Sequence, residues 1–238
     1  MSSTFKDRFK SFPWGKAVAV TGALGAGKTE WALNLSMAFL ALGESVTLAD
    51  VDILNPYFTV RSLSNLPLSE GLSVVCTAGE ARWSDLPLVP PAVGRALLKE
   101  DERVCIDVGG GERGAVALAQ IAPLMDQVGY TLLYVVNPYQ PSTASPDGVQ
   151  RLLQGLERAS KTKVTALVAN PHLMEDTTPD VVVAGYEKVN AFSQILGIPI
   201  LFVGVSSALY DEVAAVFDDT EAMLWPIERR VLMPWEKR

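Results

Sequence analysis

Val18-Ala-Val-Thr-Gly-Ala-Leu-Gly-Ala-Gly-Lys-Thr29 joins an apolar run, Ala17 to Thr21, to an apolar-rich run of helix length, Thr29 to Leu42. From Gly22 onward the spacing is Gly-x-x-x-x-Gly-Lys-[Ser/Thr], and a strand before it and a helix after it are the context that pattern requires. Gly22, Gly25 and Gly27 leave backbone N–H groups free to curl around phosphate oxygens, where a Cβ would obstruct. Lys28 can set its ammonium on the β and γ phosphates and the Thr29 hydroxyl can ligate Mg²⁺, while the first helical turn aims its positive end at the anion. The stretch Gly22, Ala23, Leu24, Gly25, Ala26, Gly27, Lys28, Thr29 and Glu30 is therefore the candidate phosphate-binding loop (P-loop) for a nucleoside triphosphate. A glycine-rich dinucleotide turn is the competing pattern, and the Lys-Thr pair argues for a triphosphate with magnesium.

Outward from this loop, apolar runs recur at Ser45 to Ala49, Leu72 to Cys76, Val104 to Ile106, Thr131 to Val136, Val164 to Ala169 and Pro199 to Val203, most of them separated by helix-length segments. Strands apolar on nearly every residue and alternating with helices predict a three-layer α/β/α fold, its mostly parallel central sheet built of about seven or eight strands. Ligands of such sheets bind beyond the carboxyl ends of the strands. Polar residues gather there: Asp50-Val-Asp52 after the second run, Asp107-Val-Gly-Gly-Gly111 after the fourth, Asn137 to Thr143 after the fifth and Asn170-Pro171-His172 after the sixth.

The chain of 238 residues suits one domain, 1–238, with 1–14 read as an N-terminal extension and 224–238 as a C-terminal tail. A net charge of −7 predicts no general attraction to nucleic acid or anionic lipid. No apolar stretch is long enough to span a bilayer, and Met-Ser-Ser-Thr-Phe-Lys-Asp lacks the apolar core of a secretory signal. Cys76 and Cys105 form no Cys-x-x-Cys pair and read as buried thiols, which places the chain in a reducing cytoplasm. A four-thiolate iron–sulfur cluster shared between two subunits is the sharper alternative, opposed by the position of Cys105 inside a strand.

With these residues assembled, the chain resembles the MinD/ParA/CobQ-type P-loop ATPases from about Lys16 to about Val205. The resemblance implies Asp50 near the magnesium shell and Asp52 as the carboxylate that orients or deprotonates attacking water, a role that in-line phosphoryl transfer to water requires. It implies Asp107 as the aspartate that holds magnesium through water, and Gly110 and Gly111 as amide donors to the γ phosphate. Asn170, followed by Pro171, resembles the asparagine that contacts the base. A GTP-specific site would show Asn-Lys-x-Asp there, so ATP is expected. His172, the only histidine, has no companion ligands and reads as a loop residue.

One family mark is missing: the best-known members carry a signature lysine directly after the first glycine of the P-loop, and here that position is Ala23. Its loss removes a cation from the transition state, so slow hydrolysis and an altered ATP-dependent homodimer are expected. Arg61, Arg82 and Arg113 are the substitutes within reach in sequence. The resulting expectation is a Mg-ATP switch acting on a protein partner. The alternatives are an ATP-dependent small-molecule ligase or kinase of the dethiobiotin synthetase or CobB type, and a non-hydrolysing nucleotide-binding or metal-cluster delivery module. The stretch Arg82 to Pro91 is a candidate docking or lid element, and Trp225 and Trp235 are expected to pack on the domain.

Overall fold

The computed structural model describes residues 3–51, 71–76, 89–217 and 222–230. Along the chain these form α1 (Ser3–Ser11), β1 (Ala17–Gly22), α2 (Lys28–Ala41), β2 (Ser45–Asp50), β3 (Leu72–Cys76), α3 (Pro91–Leu98), β4 (Glu102–Asp107), α4 (Gly111–Val128), β5 (Tyr130–Val136), α5 (Pro146–Ser160), β6 (Ala166–Ala169), α6 (Pro179–Leu196), β7 (Ile200–Ser206), α7 (Tyr210–Val216) and β8 (Met223–Ile227). The strands make one eight-stranded sheet in the order β3-β2-β4-β1-β5-β6-β7-β8. Every pairing is parallel. All the functional loops therefore leave the sheet at one end.

Burial on both faces explains why the strands are apolar without alternation. On one face Ala19, Ile106, Tyr134 and Val203 pack with α3 to α7 through Leu97, Leu118, Leu153 and Phe192. On the other, Val18, Val20, Leu48, Cys105 and Val135 pack under α1 and α2. Helix α2 is buried around most of its circumference, the expected state of a helix that is apolar all round. Its outer side is covered by α1, whose Phe5 and Phe9 join Trp14, Phe39, Phe202 and Trp225 in a continuous aromatic cluster.

Two assignments at the chain ends change. Residues 3–11, inside the segment read as an extension, form a helix that covers the sheet, and 223–227, which overlaps the segment read as a tail from 224 onward, forms its eighth strand. Pro226 is compatible with β8 because that strand is an edge, paired with β7 alone, where a missing N–H need not break the ladder. Trp225 is fully buried there, whereas Trp235 and most of the Arg82 to Pro91 stretch lie outside the described residues.

Candidate functional site

The P-loop closes β1 and opens α2 as the sequence predicts. Gly25 and Gly27 have φ of 74° and 95°, in the left-handed region that favours glycine, and Gly27 caps α2. Lys28 is only 5% exposed, its Nζ donating to the Ala23 carbonyl at 3.0 Å. The ammonium is thus folded into the concavity of its own loop. A Cβ on Gly110 would stand 3.3 Å from that Nζ and 3.2 Å from the Leu24 backbone nitrogen, so the glycine loop after β4 lies directly on the P-loop. Gly111 has φ of 72° at the start of α4. Thr29 and Glu30 occupy the first turn of α2, and Leu24, at the tip of the loop, is 74% exposed.

Register brings the two acids together. Asp50 ends β2 directly opposite Asp107, which ends β4, and Asp107 lies opposite Val20 of β1. Both carboxylates are buried beside the loop. Two adjacent carboxylates buried at this end of the sheet, on the strands beside the one that the P-loop closes, fit a divalent cation bound with a triphosphate. Asp52, Arg61 and Arg82 lie outside the described residues, as does the side chain of Arg113.

Asn170 sits on the far side of the loop. Its Nδ2 donates to the Ala26 carbonyl at 2.8 Å, a bond that only the NH₂ half of the amide can make, and so fixes its orientation. The Oδ1 end points to β7, where a Cβ on Gly204 would meet it at 2.5 Å. From there a cleft of about 720 Å³ opens between the ends of β6, β7 and β8, lined among others by Gly27, Trp31, Pro171, Ser206 and Arg229. His172 also lines it, and burial holds its imidazole below the ordinary value, in the neutral form at pH 7. The Gln140 Nε2 reaches within 3.0 Å of where a Cβ on Gly25 would stand, so the loop after β5 also touches the P-loop. Trp31, Gly204 and the 227–230 segment are site components that the sequence reading missed. A tryptophan on the P-loop helix was the one visible signal.

The cysteines separate by burial. Burial pushes the Cys105 thiol up to about 12, while Cys76 is half-buried at the end of the edge strand β3. Iodoacetamide at pH 8 should modify Cys76 in the native chain and Cys105 only after unfolding, as read by peptide mass spectrometry. Native modification of Cys105 would mean that β4 is more open than its packing indicates. Among the described residues no three His, Cys, Asp or Glu side chains converge as a metal site, and no helix is long and apolar enough to cross a membrane.

No family model matches the chain, and no curated protein matches it in sequence. Solved structures do match. FtsY from Mycoplasma mycoides is 18% identical with a TM-score of 0.52 over 83% of this chain and 66% of that one. The cell division protein FtsY from Thermotoga maritima is 22% identical with a TM-score of 0.53 over 80% of this chain and 61% of that one. The chain thus spans less than two thirds of the length of these FtsY structures. The septum site-determining protein MinD of Pyrococcus horikoshii, complexed with Mg-ADP, is 17% identical with a TM-score of 0.48 over 77% of this chain and 78% of that one. Together with the parallel eight-stranded sheet and the loop that closes β1, the two FtsY likenesses show that the chain has the three-layer α/β/α fold of the P-loop nucleoside triphosphatases.

Proposed function

We propose that this chain binds Mg-ATP at the P-loop, hydrolyses it slowly, and uses the exchange of nucleotide states to alter a surface recognised by a protein partner, in the manner of the MinD/ParA/CobQ-type proteins that its motifs resemble. The observation that carries the reading is the Lys28 ammonium, buried inside a loop of glycines with Gly110 beside it. A buried cation facing a ring of backbone N–H groups is an anion receptor. On binding, Lys28 exchanges the Ala23 carbonyl for β and γ phosphate oxygens, and the amides of 23–29 and of Gly110 and Gly111 donate to the rest. Thr29, Asp50 and Asp107 would hold magnesium, which when bound neutralises phosphate charge and fixes the triphosphate for in-line attack. Asp52, two residues beyond β2, accepts the proton of the attacking water.

Asn170 supports adenine in the cleft. One N–H of its Nδ2 goes to Ala26, and among the described residues its Oδ1 accepts no hydrogen bond, so the carbonyl is available to the exocyclic amine of the base. Ala23, in place of the signature lysine, supports slow turnover that waits for a partner's cation. The exposed Leu24 beside Gly110 supports docking of that partner, or of a second copy, on the face where the nucleotide state is read.

Steady-state hydrolysis of Mg-ATP, measured beside Asp52→Ala with binding followed by calorimetry, tests this. Wild type should bind and turn over slowly, and the variant should bind comparably while losing about 10²-fold or more in rate. Equal rates would remove Asp52 from the mechanism, and absence of ATP binding by the wild type would remove the reading itself.

A further inference from the structure

Trp31 is buried in the aromatic cluster, stacked on Phe202 with centroids 5.6 Å apart and planes at 24°, and meeting Trp225 at 62°. Among the described residues its Nε1 has no hydrogen-bond partner. A buried indole N–H normally finds one, because leaving the donor unmade costs the full penalty of removing it from water. The Trp225 Nε1 is equally without a partner, but Trp225 has three rings standing nearly perpendicular to it, Phe5, Phe9 and Phe202, whose faces can receive an N–H. Trp31 meets Trp225 at only 62°, and its pyrrole edge lies along the glycines of the P-loop and β7. That edge runs from Cδ1, 4.0 Å from where a Cβ on Gly27 would stand, to Cζ2, 2.8 Å from where a Cβ on Gly204 would stand. The Asn170 amide lies along the same line, its Nδ2 at 2.6 Å from the first position and its Oδ1 at 2.5 Å from the second. Gly27, Trp31, Asn170 and Gly204 all line the 720 Å³ cleft. A side chain at either glycine would fill the space where the two polar edges face each other.

Resting on the nucleotide-binding reading above, we infer that Trp31 determines base specificity: its indole N–H donates to a ring nitrogen of adenine while the Asn170 Oδ1 accepts from the neighbouring exocyclic amine. A donor and an acceptor side by side match adenine, which offers a ring-nitrogen acceptor next to an amine donor on both of its polar edges. Guanine places a carbonyl where adenine has its amine, so the edge containing its N7 sets one acceptor against the Asn170 Oδ1 and leaves it without a donor. Because the Nε1 is covered when the cleft is empty, a small shift of the Asn170 amide accompanies entry of the base, and that amide also holds the P-loop at Ala26. Base identity is thereby relayed to the phosphate loop.

The test is calorimetric binding of Mg-ATP, Mg-GTP and inorganic tripolyphosphate to the full chain and to Trp31→Phe, which keeps the stack on Phe202 and removes the N–H. Loss of one buried hydrogen bond predicts about tenfold or greater weakening of ATP with GTP and tripolyphosphate unchanged. As a second readout, the indole ¹⁵N–¹H resonance that disappears in Trp31→Phe should move downfield when ATP is added to wild type and stay in place with tripolyphosphate. Equal ATP affinity of the two proteins, or a Trp31 resonance indifferent to ATP, overturns the inference while leaving nucleotide binding intact. Equal weakening of all three ligands also overturns it, since that outcome reports a distorted loop. A wild type that binds tripolyphosphate but neither nucleotide refutes the base reading, and one that binds none of the three refutes the proposed function itself.

Discussion

Lys28→Ala should abolish the rise in melting temperature that Mg-ATP gives the wild type and lower kcat/KM by about 10²–10³-fold. Both effects follow from where the ammonium sits. Lys28 is buried, 3.0 Å from the Ala23 carbonyl, and Gly110 closes over it, so no water-exposed cation can take its place without passing through the loop. A ligand that binds only the folded state stabilises it by RT ln(1 + [L]/Kd), about 2.7 kcal/mol at a hundredfold excess over Kd. For a chain of this size, at about 2–4 °C per kcal/mol, that corresponds to a rise of about 5–11 °C, which differential scanning fluorimetry resolves. The variant, without the charge that offsets the triphosphate, should show no rise at the same concentration. Lys28→Arg should not rescue it, because a planar guanidinium cannot pack where a compact ammonium on a four-carbon stem is enclosed. A variant that kept the full thermal shift would place the triphosphate elsewhere, the 720 Å³ cleft then being a site independent of the loop.

The parts of this arrangement differ in how local they are, and that decided what the sequence disclosed. The P-loop is legible because its glycines, Lys28 and Thr29 act through their own backbone and the first turn of α2. Strands β1 to β7 are legible because a parallel sheet covered on both faces needs runs such as Val104-Cys-Ile106 with hardly a polar residue. Asp50 and Asp107 are legible as strand-end acids, but their direct opposition exists only through the β2–β4 register, which carries no sequence mark. The same holds for Asn170. Its tie to the Ala26 carbonyl crosses 144 residues of chain, and the space for its Oδ1 depends on Gly204 of another strand. At the ends, β8 carries Pro226, and proline argues against a central strand while saying nothing of an edge. The i, i+4 pair Phe5 and Phe9 is the helical signal that α1 leaves in the sequence.

Trp225→Ala should cost about 3–5 kcal/mol of stability, read as a lowered urea midpoint, and Trp225→Phe clearly less. The size follows from packing on four sides: Phe5 at 5.2 Å, Phe9 at 5.4 Å, Trp31 at 5.5 Å and Phe202 at 4.9 Å between ring centroids, with no exposed surface. Removing the indole empties the junction where α1, α2 and β8 meet, and the rings around it belong to three elements that cannot collapse together without shifting the sheet edge. The consequence reaches the site through α2. Asn34 of that helix donates to the Glu228 carbonyl at 3.1 Å and accepts from the Glu228 N–H at 3.2 Å, and the Glu30 carboxylate accepts from the Arg230 N–H at 2.6 Å. These bonds fasten the strand end that walls the cleft to the helix that begins at Lys28. With Trp225 gone, Trp31 loses the ring that meets it at 62° and the 228–230 segment loses the buried anchor beside it. Affinity for ATP should then fall while affinity for tripolyphosphate, which needs only the loop itself, stays near the wild-type value. A loss below about 1 kcal/mol would place Trp225→Ala among ordinary surface substitutions and would mean that α1 and β8 do not seal this face of the sheet in solution.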